Sequence, residues 1–196
     1  MVCPAEAGVS LAVSAEDGTV YVDARATGLF GPELEEALRS GLPARVRIEL
    51  VLWERRSGIW DREVVRGSWG VSVVFDLLDE IYSVLDDGGV NVLETEDLGE
   101  VEEFVAGVDL WPLCSLDELQ GSRRHYLGAK FGVEPLSVEE VRDLERWLSG
   151  SVRHRDRLRD VPGQLVGILR SRLGLGERSE RGRSGDFIPL DLPSPD

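Results

Sequence analysis

The side chains best suited to catalysis or ligand binding are few and scattered in this 196-residue chain. A zinc site needs His and Cys at close spacing, but His125 and His154 lie far apart and each sits beside arginine, whose charge opposes a cation. They read as solvated or locally hydrogen-bonded histidines. Cys114 follows Trp111-Pro112-Leu113 with no activating base beside it, so a buried structural thiol is expected rather than a nucleophile. Cys3 and Cys114 are too few for a disulfide framework, and a bridge between them would require an oxidising compartment. Asp76, Asp79 and Glu80, and Asp86 with Asp87, stand at turn sequences, in a spacing that fits no calcium loop. Glu94, Glu96, Glu100, Glu102 and Glu103 surround a predicted helix start, where they favour its dipole. No P-loop, dinucleotide fingerprint, nucleophile elbow or metalloprotease helix occurs. The residues propose no reaction, and no catalytic residue, metal or cofactor is expected.

Charge says more about partners. The net charge is −15, unevenly spread: residues 1–150 hold 30 acidic against 13 basic side chains. Residues 151–185 hold nine arginines against Asp156, Asp160, Glu177 and Glu180. An acidic body repels a phosphate backbone, which argues against nucleic acid as a partner. The basic segment suits an anionic partner or membrane surface, or folds back on the body. The start of the chain carries no apolar core of signal-peptide length, and no run of about 18 apolar residues spans a membrane.

The elements that would position any site are mostly strands. Residues 8–14 and 18–28 alternate apolar and polar side chains around a turn at Glu16-Asp17-Gly18, the pattern of a hairpin with one wet face. Pro32 opens a short helix with Leu34, Ala37 and Leu38 inward and Gly41 as its stop. Arg45–Trp53 is the longest clean alternation, with Val46, Ile48, Leu50 and Leu52 inward, and is expected to be a central strand. A polar edge strand is expected around Ile59–Arg66, then a separate strand with Trp69, Val71, Val73 and Phe75 inward. Asp86-Asp87-Gly88-Gly89 predicts a hairpin turn. Asp97 with Glu100 predicts a capping box opening a helix over 98–106. Extended segments are expected at about 108–114 and 123–133. Ser137 with Glu140 opens another predicted helix, with an apolar stripe of Val138, Val141, Leu144, Trp147 and Leu148.

The predicted fold is mainly β: an antiparallel β-sandwich, immunoglobulin-like or related, over residues 8–136. A helical extension over 137–175 and a flexible tail over 176–196 complete the predicted organisation. Within the tail, Phe187-Ile188-Pro189-Leu190 has the character of a docking peptide. The candidate partner-binding residues are the outward Trp53, the basic run Arg153, Arg155, Arg157 and Arg159, and an amphipathic helix near 163–173. That helix would present Leu165, Ile168 and Leu169 with Arg170 and Arg172.

The order of these pieces resembles the bacterial family known as domain of unknown function 4390. The resemblance rests on Leu34-Glu35-Glu36-Ala37-Leu38, Gly41-Leu42-Pro43, the strand ending Leu52-Trp53-Glu54-Arg55-Arg56, Trp60-Asp61, the strands leading to Tyr82, and the segment Tyr126–Pro135. It covers about residues 9–136. It implies an exported, extracytoplasmic and membrane-facing protein, with members often encoded beside a membrane sensor kinase pair, and it transfers no functional residues. The chain departs from the pattern by showing no export signal, which leaves a cytoplasmic location as the alternative, and by its basic C-terminal extension. The expected function is a non-enzymatic accessory or interaction module at the outer face of a bacterial membrane, with a membrane protein or the membrane surface as its partner. The alternative is a small-ligand or lipid-binding β-sandwich.

Overall fold

A computed structural model of the chain describes residues 8–58, 60–135 and 178–195. Along them run β1 (Gly8–Glu16), β2 (Thr19–Thr27), α1 (Pro32–Arg39), β3 (Ala44–Glu54), β4 (Arg62–Asp76) and β5 (Ile81–Asp86). Then follow β6 (Asn91–Thr95), α2 (Leu98–Val105), β7 (Gly107–Ser115), β8 (His125–Pro135) and β9 (Arg178–Arg183). The protein is mainly β. Strands β1-β2-β7 form a three-stranded sheet and β6-β5-β4-β3-β8-β9 a six-stranded one. Every paired neighbour is antiparallel.

Period-two alternation explains how the sheets meet. On β3, Val46, Ile48, Leu50 and Leu52 are fully buried, and the strand lies inside the large sheet between β4 and β8. Val22, Ala24 and Ala26 of β2 share one apolar cluster with Val46, Ile48 and Leu50, with Val71 and Val73 of β4, and with Leu127, Phe131 and Val133 of β8. Each large aliphatic side chain so buried contributes about 1.5–3 kcal/mol. Leu34 and Leu38 of α1, and Val101 and Val105 of α2, join the same cluster. Helix α1 starts at Pro32, and Gly41 (φ 85°) takes the left-handed conformation that ends it. Asp97 caps α2 by accepting from the Gly99 N–H, but the expected capping box is not closed, because Glu100 accepts from the Thr95 hydroxyl instead.

Two expectations are corrected. The polar strand around Ile59–Arg66 and the strand after it are one: β4 runs without a break from Arg62 to Asp76. Its first half is polar because β5 pairs only with Val71–Asp76, so Arg62–Gly70 has β3 on one side and no described strand on the other. It is an edge locally, within a longer strand. The second correction concerns the predicted flexible tail. Residues 178–183 are β9, paired with β8 from Val133↔Arg178 to Gly128↔Arg183. Beyond it Phe187 bridges to His125, Pro189–Asp191 forms a 3-10 turn, and the Ala15 N–H donates to the Pro193 carbonyl. Backbone pairing overrode a disorder-like composition over Arg178–Arg183. The helices predicted within 137–175 lie outside the described residues.

Candidate functional site

Aromatic and charged side chains converge where β3 ends, β8 begins and β9 finishes. Register sets Trp53 opposite Tyr126 and Glu54 opposite His125. Alternation then sends the first pair to the outer face of the large sheet and the second pair inward. The Trp53 and Tyr126 rings stack with centroids 6.4 Å apart and planes 15° from parallel. The Arg183 guanidinium lies 3.7 Å from the Tyr126 centroid and that of Arg55 at 5.6 Å. The Tyr126 hydroxyl donates to Asp61 Oδ2 at 3.1 Å, and Asp61 Oδ1 accepts from the Arg56 N–H at 3.2 Å. Asp186 closes the ring of contacts, pairing with Arg55 at 3.0 Å and Arg183 at 3.2 Å. The Arg56 N–H, with the Tyr126 hydroxyl assisting, holds the Asp61 carboxyl below its ordinary range despite burial. Burial first, and the Asp61 charge after it, push the Tyr126 hydroxyl up. The tyrosine is therefore a protonated donor clamped between an aromatic and a cation. One residue before Asp61, Trp60 is 82% exposed.

The inward pair is sealed. The Glu54 side chain is 1% exposed, and Arg62 Nη2 donates to it at 2.6 Å and Arg56 Nε at 3.3 Å, with Arg123 Nε at 3.9 Å. Burial would raise this carboxyl, but the arginine hydrogen bonds and charges outweigh it and hold it below its ordinary value. His125 is fully buried, its Nδ1 donating to the Arg123 carbonyl at 3.0 Å while Nε2 meets no partner among the described residues. Burial lowers its pKa against the opposing Arg123 hydrogen bond, so the ring stays neutral and stacks on Phe187 at 6.1 Å. An ionised, saturated carboxylate and a neutral, enclosed imidazole position the strand ends. The reading of His125 as solvated is corrected; its local hydrogen bond stands.

Further along the outer face, Arg47, Glu49, Lys130, Gly132 and Glu134 line a cleft of about 210 Å³. Cross-strand register places Glu49 opposite Lys130 and Arg45 opposite Glu134, so charges of both signs alternate over a floor left open by Gly132.

Of the predicted site residues, the structure places Trp53 in this cluster, half-buried against Tyr126. Arg153, Arg155, Arg157, Arg159, Leu165, Ile168, Leu169, Arg170 and Arg172 lie outside the described residues, as do Cys3 and His154. The turn carboxylates serve the backbone: Asp76 accepts from the Leu78 and Asp79 N–H groups and Asp86 from Val90, while Asp87 pairs with Arg45. Cys114 is a free thiol on β7, and burial together with the Glu118 charge pushes it up to about 11. At pH 8 its alkylation in the native chain is expected to be slower by roughly tenfold or more than in urea. Peptide mass mapping reads this directly, and equal rates would refute the buried environment.

Sequence reasoning missed Glu54, Asp61, Tyr126, Arg183 and Asp186. A signal existed for Glu54: it continues the inward series Val46, Ile48, Leu50, Leu52, and only its charge argued against burial. No curated protein and no solved structure matches the chain. The family model described as Domain of unknown function (DUF4390) matches residues 9–137. That span runs from β1 to the end of β8, well over half of the sequence, and the chain belongs to this family.

Proposed function

We propose that the chain is a non-enzymatic interaction module whose recognition surface is centred on Trp53, Tyr126 and Trp60. The observation that carries the reading is an 82%-exposed tryptophan next in sequence to an aspartate that anchors a stacked, charge-clamped aromatic pair. Exposed tryptophan beside preorganised aromatics and arginines is the composition of binding hot spots. The two antiparallel sheets sharing one core support a β-sandwich, immunoglobulin-like or related, as the scaffold. Family membership supports an extracytoplasmic setting, peripheral to a bacterial membrane, with the chain acting as a subunit of a larger membrane assembly. The basic run Arg153–Arg159 and the stripe Leu165, Ile168 and Leu169 with Arg170 and Arg172 would contact the membrane or a membrane protein. No described helix is long and apolar enough to cross a membrane. The charged cleft over Gly132 suits water and small ions better than an acyl chain, which favours this reading over lipid binding.

Truncation at Gly150 would remove β9 with the basic segment, so substitution is the cleaner test. Trp60→Ala is expected to change stability by no more than about 0.5 kcal/mol while abolishing site-specific cross-linking to a partner in native membranes. Replacing Arg153, Arg155, Arg157 and Arg159 by serine is expected to abolish flotation with anionic liposomes. Cross-linking indifferent to Trp60 would reject the surface, and flotation indifferent to the four arginines would reject the membrane contact.

A further inference from the structure

The chain leaves the described fold after Pro135 and re-enters at Arg178, opposite Val133 on the neighbouring strand. The family match ends at residue 137, so β9 completes the sheet from beyond the family domain. Its sequence, Arg178-Ser179-Glu180-Arg181-Gly182-Arg183, has no apolar side chain, and none of these residues belongs to the main core cluster. The segment is held by backbone pairing and by contacts that each read one residue type. A Cβ on Gly182 would lie 2.5 Å from Val9 Cγ1, so glycine alone fits there. Arg183 stacks on Tyr126. The Ser184 hydroxyl accepts from the Leu127 N–H at 2.9 Å, and the Ser184 N–H donates to the Leu127 carbonyl at 2.9 Å. Asp186 pairs with Arg55. Phe187 exchanges both backbone hydrogen bonds with His125, at 2.8 and 2.9 Å, and stacks on its ring. Pro189 is buried.

We propose that the edge of β8 turned away from β3, with Arg55, His125 and Tyr126 at its end, is a peptide-binding groove that takes an extended segment by strand addition. Residues 182–189 are its resident, displaceable ligand. The ligand class is an extended peptide presenting, in order, glycine, a cation, a hydroxyl, a spacer, an acid, an aromatic, a spacer and proline. Main-chain hydrogen bonds supply affinity in such a mode, and pockets for alternate side chains supply selectivity. The segment has a ligand's composition because its polar strand adds specific contacts while the apolar faces of β8 and β3 bury one another against the small sheet. The inference rests on the interaction-module reading and names the partner chemistry of one end of that surface.

The test uses the full chain with a protease site inserted between Gly174 and Leu175. After cleavage, the C-terminal fragment is expected to remain bound by native mass spectrometry. A fluorescent synthetic peptide of residues 178–193 should then displace it saturably, with the β signature of the circular dichroism unchanged. Arg183→Ala and Phe187→Ala peptides should compete roughly tenfold more weakly or worse. In the uncut chain, Gly182→Val expels the resident segment, so the labelled peptide should bind this variant and bind the wild type roughly tenfold more weakly or less. A fragment that never exchanges, a domain that unfolds when it departs, or a peptide that binds wild type and variant equally would each overturn the proposal. The Trp60 cross-linking experiment uses the uncut chain, so any of these failures leaves the interaction surface standing.

Discussion

Phe131→Ala is expected to cost the fold about 3–5 kcal/mol, seen as a large fall in the urea midpoint with little change in slope. Phe131 is fully buried, among the largest side chains so enclosed, and sits mid-strand on β8 opposite Ile48. Its surroundings are strand residues fixed by pairing on both sides, β3 on one and β9 on the other. They cannot collapse into the vacated volume, so the cavity term adds to the lost burial. Tyr126, five residues earlier on the same strand, faces outward. Tyr126→Ala removes the ring beneath Arg183 and the donor to Asp61, contacts worth about 1–2 kcal/mol together, and is expected to impair recognition more than stability. Should Tyr126→Ala destabilise the chain as much as Phe131→Ala, the assignment of inner and outer faces would be wrong.

Arg62→Ala is expected to destabilise by about 2 kcal/mol at neutral pH: breaking a buried ion pair costs more than this, but Arg56 and Arg123 remain and water screens the half-exposed guanidiniums. The pH dependence identifies the cause. Burial raises the Glu54 carboxyl, but the arginine hydrogen bonds and charges together lower it by more, leaving it below its ordinary 4.5. A depressed folded value means that this carboxylate's contribution is complete above the unfolded pKa and is lost as pH falls through the folded one. Without Arg62 the folded value rises. The gap between wild type and variant should therefore be widest at neutral pH and narrow well below 4.5, where both carry protonated Glu54. Urea midpoints measured from pH 3 to 8 check this, and a constant gap would show that Arg62 acts through packing alone.

Much of the scaffold was legible in the sequence because single-period patterns fix it. The inward series of β3, the helix from Pro32 to the stop at Gly41, and the turns at Asp17-Gly18 and Asp86–Gly89 follow from side-chain chemistry within a few residues. The end of the sheet was less legible because its logic is non-local. Tyr126 gains meaning only from Trp53 across a strand pairing, from Asp61 on a loop and from Arg183 beyond the family domain. His125 was read as solvated or locally hydrogen-bonded, yet it begins the inward series Leu127, Ala129, Phe131, Val133. Composition misled for Arg178–Arg183, where glycine, serine and arginine suggested a loose chain. There the acceptor edge of β8, rather than the segment's own propensity, imposes the strand.

Lys130 supplies the chain's single side-chain amine, and it stands at the seam, opposite Glu49 on one side and Arg181 on the other. Chemistry directed at side-chain amines will therefore mark one position on the molecule. A fluorophore placed there would sit between β3 and β9, and its anisotropy and quenching would follow the arrival or departure of the neighbouring strand in real time. The same economy means that amine-reactive fixatives and surface immobilisation through lysine would act at the seam itself. Measurements of binding made that way would obscure the event they were meant to observe.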